Sequence, residues 1–527
     1  MTPEEWIAHD PDPTTAAELA ACGPDELAAR FARPLTFGTA GLRGPVRGGP
    51  DAMNVAVVSR ATWAVAQVLT RRGLAGSPVI VGRDARHGSA VFATVTAEVL
   101  AAEGFSVLLP PGPVPTPVLA FAVRHTGAAA GIQITASHNP ATDNGYKVYL
   151  DGGIQIVSPT DRQIETAMAA APFADQIART PVPQADTGLV EQYIERAAGV
   201  RRSAGSVRVA LTPMHGVGGA VAVDTLLRAG FHNVHTVATQ FEPDPDFPTV
   251  AFPNPEEPGA TDALLALAAD VEADVAIALD PDADRCAVGI PTTSGWRMLT
   301  GDETGWLLGD YILSRTDNPE TAVVASTVVS SRMLATIAAH YGATHVETLT
   351  GFKWLARADF GVPGAALVYA YEEAIGHCVD PDAVRDKDGI SAAVLMCDLV
   401  AMLKDRGRTV PDALDDLARR YGVHDVAAVS RRVAGADEAA ELMGRLRAAP
   451  PSRLAGFTVT TTDIADVLIF TGGDDEASAR VVVRPSGTEP KLKCYLEVRC
   501  AATDDLRSAR ARARAIRDEL VEVVRSW

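Results

Sequence analysis

Short runs of apolar, often β-branched residues recur along the chain, and each run ends in a glycine-rich or polar turn. Clear examples are residues 78–81, 207–211 and 323–329. Helical spacing of apolar residues follows each run, as expected for buried strands that feed helices in α/β domains. Because the starts of these runs lie about one domain length apart, the pattern predicts three successive α/β domains of similar plan with mixed sheets.

The C-terminal part follows a different pattern. Residues 491–500 alternate between apolar and polar side chains, which is typical of a half-exposed strand. Asp505 then precedes apolar residues that recur at helical spacing from Leu506 to Val524. We therefore expect a smaller α+β domain at the end of the chain. The predicted domain limits are 1–190, 191–302, 303–424 and 425–527.

Composition excludes several classes of partner. The 47 basic and 66 acidic residues give a net charge of −19, which disfavours nucleic acid and anionic membranes. No uncharged apolar stretch reaches about 18 residues, so we expect no membrane span. The six cysteines are scattered without Cys-x-x-Cys spacing, and the acidic N-terminus does not resemble a secretory signal. These features favour a reduced, cytoplasmic protein, and they do not indicate an oligomeric state.

A serine lies where one buried run breaks into a turn. Ser137 follows the apolar residues 128–134, a position that exposes a hydroxyl at the carboxyl edge of a sheet. Ordinary turn or cap chemistry would explain an isolated serine of this kind. Residues 143–145 (Asp-Asn-Gly) predict a hairpin turn, and 146–149 a returning strand. That return would bring Lys147 beside Ser137.

Three aspartates follow the apolar run 275–279, and their alternate spacing suits a loop that converges on one hard cation. They are Asp280, Asp282 and Asp284. An oxygen-only set of this kind favours Mg²⁺, although aspartates in a turn are often merely solvated. An EF-hand is excluded because Arg285 and Pro291 occupy the positions that require glycine and glutamate. Arg285 directly after the aspartates is suited to phosphate oxygens.

A second anion-binding candidate lies near the C-terminus. Arg484 offers a guanidinium, and the backbone amides of Ser486, Gly487 and Thr488 could form an anion nest, although an ordinary loop explains the same residues equally well. The glycine-rich segment 38–44 is similar in character. It is not a dinucleotide-binding fingerprint, and the chain contains no Gly-Lys pair for a Walker A loop. Nicotinamide and nucleotide-triphosphate enzymes are therefore poor fits.

Paired glutamates follow the apolar run 367–371. Glu372 and Glu373 can accept hydrogen bonds from sugar hydroxyls, although such a pair is usually only solvated. Candidate partners for a substrate phosphate or a sugar oxygen flank this segment. They are Thr350, Gly351, Lys353 and Lys387.

Taken together and in this order, the motifs resemble the α-D-phosphohexomutase superfamily of phosphoglucomutases and phosphomannomutases. The resemblance runs from about residue 30 to the C-terminus. The stretches most similar to the branch with phosphopentomutase-type enzymes are 247–250, 252–257 and 348–354.

The resemblance implies a four-domain enzyme in which Ser137 carries a transferable phosphoryl group. Mg²⁺ would be held against Ser137 by Asp280, Asp282 and Asp284, and His138 would orient the serine loop. The cations lining the phosphoryl site would be Arg43, Lys147 and Arg285. Glu372 would read sugar hydroxyls. The non-reacting phosphate would be held by Arg484, Ser486, Gly487 and Thr488.

The implied reaction interconverts small-molecule sugar 1- and 6-phosphates through a bisphosphate that turns around between two transfers, and a sugar bisphosphate would prime the serine. Glucose is the favoured sugar, followed by ribose or deoxyribose and then mannose. Many hexose-specific relatives carry a serine where this chain has Ala374. Two rival functions stay open: a phosphatase of the haloacid dehalogenase type with Asp280 as nucleophile, and a sugar-phosphate-binding regulator without turnover.

Overall fold

The structure is a computed structural model that describes residues 1–38, 41–150, 152–485 and 491–527. The chain forms two compact units. The first unit comprises residues 1–301, 351–357 and 368–405. The second unit comprises residues 302–350, 358–367 and 406–527.

The first domain contains a six-stranded mixed sheet with the order β1-β5-β4-β2-β3, and β6 pairs with β5. Its elements are α1 (Pro3–Ala8), α2 (Pro13–Ala21), α3 (Pro24–Ala32), β1 (Leu42–Pro45), α4 (Val55–Arg71), β2 (Pro78–Arg83), α5 (Ser89–Ala102), β3 (Ser106–Leu108), α6 (Thr116–Thr126), β4 (Ala130–Ile134), β5 (Asp143–Leu150), β6 (Ile154–Gln155) and α7 (Thr160–Ala169). The predicted strand at 78–81 is β2, and helix α5 follows it.

The second domain repeats this plan with a five-stranded sheet of order β11-β10-β9-β7-β8. Its elements are α8 (Leu189–Ala198), β7 (Arg208–Thr212), α9 (Gly219–Arg228), β8 (Asn233–Thr236), α10 (Ala238–Phe241), α11 (Asp262–Asp270), β9 (Val275–Leu279), β10 (Cys286–Thr292) and β11 (Gly295–Met298). In this sheet β7 pairs in parallel with β8 and β9, whereas β10 pairs antiparallel with β9 and β11.

The third domain also combines parallel and antiparallel pairs. Its elements are α12 (Gly301–Leu313), β12 (Ala322–Thr327), α13 (Met333–Tyr341), β13 (Thr344–Thr348), α14 (Phe352–Leu355), β14 (Ala366–Glu372), β15 (Gly376–Cys378), α15 (Gly389–Asp405) and α16 (Val410–Tyr421). β12 runs parallel to β13, and β14 runs antiparallel to β15. The predicted strand at 323–329 ends at Thr327, because the chain then turns with Ser330 N donating to Thr327 O.

The C-terminal domain is an antiparallel sheet of order β16-β21-β20-β19-β18-β17 with two helices. Its elements are β16 (Val423–Arg432), α17 (Ala436–Ala448), β17 (Arg453–Leu454), β18 (Phe457–Ile464), β19 (Val467–Gly473), β20 (Ala477–Pro485), β21 (Lys491–Cys500) and α18 (Leu506–Arg525). Asp505 caps α18 by accepting a hydrogen bond from Ser508 N. The fold class is therefore confirmed: three α/β domains with mixed sheets and a smaller C-terminal α+β domain.

The same topological position carries chemistry in each of the first three domains. Strands β4, β9 and β14 each pair antiparallel with the strand that follows them in sequence. Ser137 and the three aspartates lie in the loops that leave β4 and β9, whereas Glu372 is the last residue of β14 and Glu373 follows it. Because every residue of β4 and β9 is buried, the loops leave from rigid strand ends.

The helices pack their apolar faces against these sheets. In the first domain, for example, Val57, Ala61 and Leu69 on α4 are fully buried in one core cluster with Ile132 of β4. Within the part of the chain that the structure describes, we find no helix with the length and apolar character needed to cross a membrane.

Candidate active site

Ser137 lies in a strained turn directly after β4. Its backbone φ of 51° is in the left-handed region that non-glycine residues rarely adopt. Its amide donates to Thr135 Oγ1 at 2.9 Å, which holds the turn. The side chain is buried, and Ser137 Oγ donates to Asp280 Oδ2 at 2.6 Å. His138 Nδ1 lies 3.3 Å from Ser137 Oγ. The turn therefore presents the serine hydroxyl to the aspartate loop of the second domain.

The chain returns along β5 as predicted, but the predicted hairpin turn at 143–145 is wrong. These residues are the first three of β5, and the reversal occurs earlier, between Ile134 and Asp143. The physical reason is that the side chain of Asn144 is buried and donates to His87 O and Ser89 Oγ, so it supports the neighbouring loop instead of forming a tight turn.

Lys147 lies on β5 opposite Gln133, and its ammonium group contacts the aspartate loop. Nζ donates to Asp282 Oδ2 at 2.7 Å and to Asp284 Oδ2 at 2.8 Å. Burial alone would lower the pKa of Lys147, but these two carboxylates raise it. The side chain is therefore a buried cation that neutralises part of the charge of the aspartates next to Ser137.

The three aspartates converge as a set of possible metal ligands. One carboxylate oxygen from each of Asp280, Asp282 and Asp284 lies within 4.8 Å of the other two, and all three residues are fully buried. Among the described residues, Asp282 Oδ1 and Asp284 Oδ1 have no hydrogen-bond partner. Since Lys147 contacts only the Oδ2 atoms, both Oδ1 atoms are available to a cation. The residues fit a Mg²⁺ ion, which prefers carboxylate oxygen.

The electrostatics of this cluster also fit a bound cation. Burial and the proximity of Asp282 and Asp284 raise the pKa of Asp280 well above its usual value. Burial would likewise raise the pKa of Asp282, but Lys147 holds it below its usual value. A divalent ion at the cluster would relieve the repulsion that raises the pKa of Asp280.

Arg285 and Lys387 add two more cations beside the aspartates. Three carboxylates surround the Arg285 guanidinium without direct hydrogen bonds: Glu256 at 3.7 Å, Asp284 at 3.9 Å and Glu372 at 3.9 Å. Lys387 Nζ lies 3.2 Å from Asp284 Oδ2. Because these distances are long for Arg285, its donors can turn toward phosphoryl oxygens. Glu372 is thus brought to the edge of the aspartate loop.

The structure also describes the remaining predicted residues of the first unit, of which Arg43 contacts the serine loop. Arg43 Nη1 donates to Asn139 Oδ1 in the serine loop at 3.0 Å. Lys353 Nζ lies 3.5 Å from Gly38 O, and Gly351 adopts a φ of 110° immediately before α14. Glu373 is partly buried next to Glu372.

Two predicted substrate-binding residues that the structure describes, Thr350 and Arg484, belong to the second unit. Arg484 lies on β20, directly opposite Lys493 on the neighbouring strand β21. Ser486, Gly487 and Thr488 lie outside the described residues. Their predicted roles therefore stay predictions.

Two residues that the sequence interpretation missed support the site. Thr116, the first residue of α6, donates through Oγ1 to Asp282 Oδ2 at 2.5 Å, and its amide donates to Asp282 O at 2.9 Å. Arg86 donates to backbone carbonyls of the serine loop. A threonine between two prolines and an arginine just after a strand were the only signals in the sequence.

Comparison with known proteins gives the family of this chain. Its segments match the four families described as phosphoglucomutase/phosphomannomutase, namely alpha/beta/alpha domains I, II and III and the C-terminal domain. The matched residues are 34–175, 191–293, 300–421 and 424–515. The chain belongs to the α-D-phosphohexomutase superfamily.

Relatives in this superfamily carry different substrate names. The chain is 41% identical over 469 residues to a Haemophilus influenzae protein named as a probable phosphomannomutase, covering 85% of this chain and 93% of that protein. It is 33% identical to mouse (Mus musculus) phosphopentomutase, covering 94% of this chain and 89% of that protein. It is 32% identical to a Staphylococcus haemolyticus phosphoglucomutase, covering 89% of this chain and 91% of that protein.

Membership confirms the predicted class of enzyme. As a member of the phosphohexomutase superfamily, the chain is a sugar-phosphate mutase, which is an isomerase that moves a phosphoryl group. Magnesium binding is typical of the superfamily, and the buried aspartate cluster fits it. The names of the relatives divide between mannose, glucose and pentose phosphates, so the family leaves the sugar open.

Proposed function

We propose that this mutase interconverts glucose 1-phosphate and glucose 6-phosphate through a phosphorylated Ser137 and a sugar bisphosphate. The observation that carries the proposal is the 2.6 Å contact between Ser137 Oγ and Asp280 Oδ2, which joins a hydroxyl nucleophile to a carboxylate metal site. A phosphatase with Asp280 as nucleophile would leave the strained Ser137 turn without a role. A binder without turnover would not need this contact.

In the first half-reaction, the phosphoryl group passes from Ser137 to a free hydroxyl of a sugar monophosphate. The bond between Ser137 Oγ and phosphorus breaks, and a bond between the sugar oxygen and phosphorus forms. The sugar hydroxyl loses its proton and Ser137 Oγ gains one, so that no net proton is produced. The serine hydroxyl can then again donate a hydrogen bond to Asp280. The products of this step are a sugar bisphosphate and free serine.

Catalysis of this transfer rests on alignment and charge stabilisation, because phosphoryl transfer requires little covalent chemistry from the protein. Arg285, Lys147 and Arg43 would stabilise the charge on the moving group, and His138 would orient the serine loop. Mg²⁺ bound by the three aspartates against the Ser137 phosphoryl group would neutralise charge there.

The second half-reaction requires the bisphosphate to turn around and return its other phosphate to Ser137. We propose that Glu372 and Glu373 accept hydrogen bonds from the sugar hydroxyls, with Thr350, Gly351, Lys353 and Lys387 nearby in sequence as further contacts. The non-reacting phosphate would be held by Arg484, Ser486, Gly487 and Thr488. An added sugar bisphosphate would prime unphosphorylated Ser137 by the same chemistry.

A pentose phosphate is the second candidate substrate, and a specific observation favours it. Ala374 supplies no hydroxyl two residues after Glu372, and mouse phosphopentomutase is among the relatives. The deciding experiment compares kcat/KM for glucose, mannose, ribose and deoxyribose 1-phosphates under identical conditions. Our proposal expects the highest value for glucose 1-phosphate, and a higher value for a pentose would replace it with phosphopentomutase.

Replacing Ala374 with serine is expected to shift preference toward hexoses. One added hydrogen bond to the sugar contributes about 1 kcal/mol, so the ratio of kcat/KM for glucose to that for ribose should rise roughly fivefold. The matched control is Ala374→Cys, which adds similar volume with a much weaker hydrogen-bonding group. A ratio that is unchanged in Ala374→Ser, or that rises equally in both variants, would contradict a hydroxyl contact at this position.

Arg484→Ala is expected to raise KM much more than it lowers kcat. The guanidinium would hold the phosphate that does not react, so its contribution is common to the ground state and the transition state. Loss of a charged hydrogen bond of about 2 kcal/mol corresponds to a KM increase of roughly thirtyfold. Arg507→Ala, on the exposed face of α18, serves as the control. A large fall in kcat at unchanged KM would contradict this role.

A further inference from the structure

Arg86 is a buried arginine whose guanidinium binds the backbone of the serine loop. Its side chain is only 1% exposed. It donates hydrogen bonds to four carbonyl oxygens, those of Ser137 at 2.5 Å, Asn139 at 2.6 Å, Pro140 at 2.7 Å and Asp143 at 3.2 Å. One side chain therefore contacts the loop at both ends and near its middle.

A hydrogen-bonded network fixes Arg86 in this position. Asp84, just after β2, accepts from the amide of Arg86 at 2.9 Å, and its Oδ2 lies 3.4 Å from Arg86 Nε. Asp84 also accepts from Ser89 Oγ at 2.5 Å, and Ser89 Oγ in turn accepts from Asn144 Nδ2 at 2.9 Å. Since Asn144 follows the serine loop on β5, the network closes on the loop that Arg86 holds.

Arg86 also contacts the domain that carries the aspartates. Its guanidinium carbon lies 4.9 Å from the centre of the Phe247 ring, in the second domain. A buried guanidinium is costly unless its donors are satisfied, and here most of the acceptors belong to the loop that contains Ser137. The cost of burying this charge is therefore offset by Asp84 and by the carbonyl groups of the serine loop, the latter only while the loop keeps its shape.

We propose that Arg86 is the positioning residue that holds Ser137 Oγ toward Asp280, acting through the loop backbone without contacting the substrate. This inference rests on the proposed role of Ser137 as the phosphoryl carrier. In physical terms, four carbonyl groups of the loop point toward one cation. Their hydrogen bonds to Arg86 hold the left-handed turn at Ser137 in place and neutralise the partial negative charge of the carbonyl oxygens.

A lysine cannot replace this arrangement. Arginine presents five N–H donors in a rigid plane, whereas an ammonium group is a point charge with three donors on a flexible stem. Arg86→Lys is therefore expected to keep the charge but lose part of the loop geometry. Arg83 provides the matched control, because it lies three residues earlier at the end of β2 and its described hydrogen bond is to Asp84 O, outside the serine loop.

The test compares steady-state kinetics of wild type, Arg86→Lys, Arg86→Ala and Arg83→Lys with glucose 1-phosphate. We expect kcat to fall at least tenfold in Arg86→Lys while KM changes less than threefold, with little change in Arg83→Lys. Added methylguanidinium should restore part of kcat in Arg86→Ala. Equal losses of kcat in the two lysine variants, or the absence of rescue in Arg86→Ala, would overturn the proposal.

Hydrogen exchange of the peptide covering residues 135–143 provides a readout that does not require turnover. Faster exchange in Arg86→Lys than in Arg83→Lys is expected, and equal exchange in the two variants would overturn the positioning role. A wild-type protein that lacks mutase activity would instead refute the proposed function. In that case the exchange comparison still decides whether Arg86 holds the loop.

Discussion

We expect Ser137→Ala to abolish interconversion of glucose 1-phosphate and glucose 6-phosphate. The substitution removes the only atom of residue 137 that can form the phosphoryl bond, and loss of a covalent nucleophile typically costs at least about 10⁴-fold in kcat. The fold should persist, because loss of the hydrogen bond to the buried Asp280 costs about 1–3 kcal/mol, less than the stability of a typical domain. The measurement is a coupled assay of product formation, together with thermal unfolding of the same samples.

Thr142→Ala is the matched control for this experiment. Thr142 lies in the same loop, is exposed, and its hydroxyl donates to Asp143 rather than to the aspartate cluster. Activity close to wild type is expected for this control. If Ser137→Ala instead retained more than about one thousandth of the wild-type kcat, while Thr142→Ala behaved normally, another residue would have to carry the phosphoryl group.

Removal of divalent metal is expected to lower turnover by roughly a thousandfold, and added Mg²⁺ should restore it. A metal ion that neutralises the moving phosphoryl group contributes several kcal/mol, which corresponds to this factor. Asp282→Asn and Asp284→Asn should each weaken Mg²⁺ activation, because each removes a carboxylate whose Oδ1 has no partner among the described residues. The Mg²⁺ concentration for half-maximal activity is the quantity to measure.

The control for the metal experiment is Asp270→Asn, which changes an exposed carboxylate at the end of α11 in the same domain. Its Mg²⁺ requirement should match that of wild type. Full activity of the chelated wild-type enzyme would contradict a catalytic metal at the aspartate cluster. So would an identical Mg²⁺ dependence in the control and in both cluster variants.

The sequence was most informative where a buried strand ends in polar residues. The runs before Ser137 and Asp280 could be interpreted as strands because their residues are mostly apolar, and ligands bind at strand ends of α/β domains. The structure buries every residue of β4 and β9. The alternation in 491–500 similarly predicted β21. Local pattern therefore predicted the strands β4, β9 and β21, whereas the chemical roles of the residues beside them stay predictions.

Side-chain contacts between residues far apart in the sequence could not be predicted from the local pattern. The letters of residues 143–145 favour a turn, yet the buried amide of Asn144 places them in β5. Thr116 donates a hydrogen bond to Asp282, 166 positions away, and Arg86 donates one to Ser137, 51 positions away. The residues next to Thr116 and Arg86 in the sequence do not identify these partners. The predicted domain limits at 190, 302 and 424 and the roles assigned to the C-terminal clamp stay predictions.

Phosphopeptide mapping tests the central claim most directly. The purified protein is incubated with glucose 1,6-bisphosphate, digested and analysed by mass spectrometry before and after a chase with glucose 6-phosphate. We expect an acid-stable phosphate on Ser137 that disappears in the chase. An acid-labile phosphate on Asp280, or a Ser137 phosphate that the sugar cannot remove, would contradict the account.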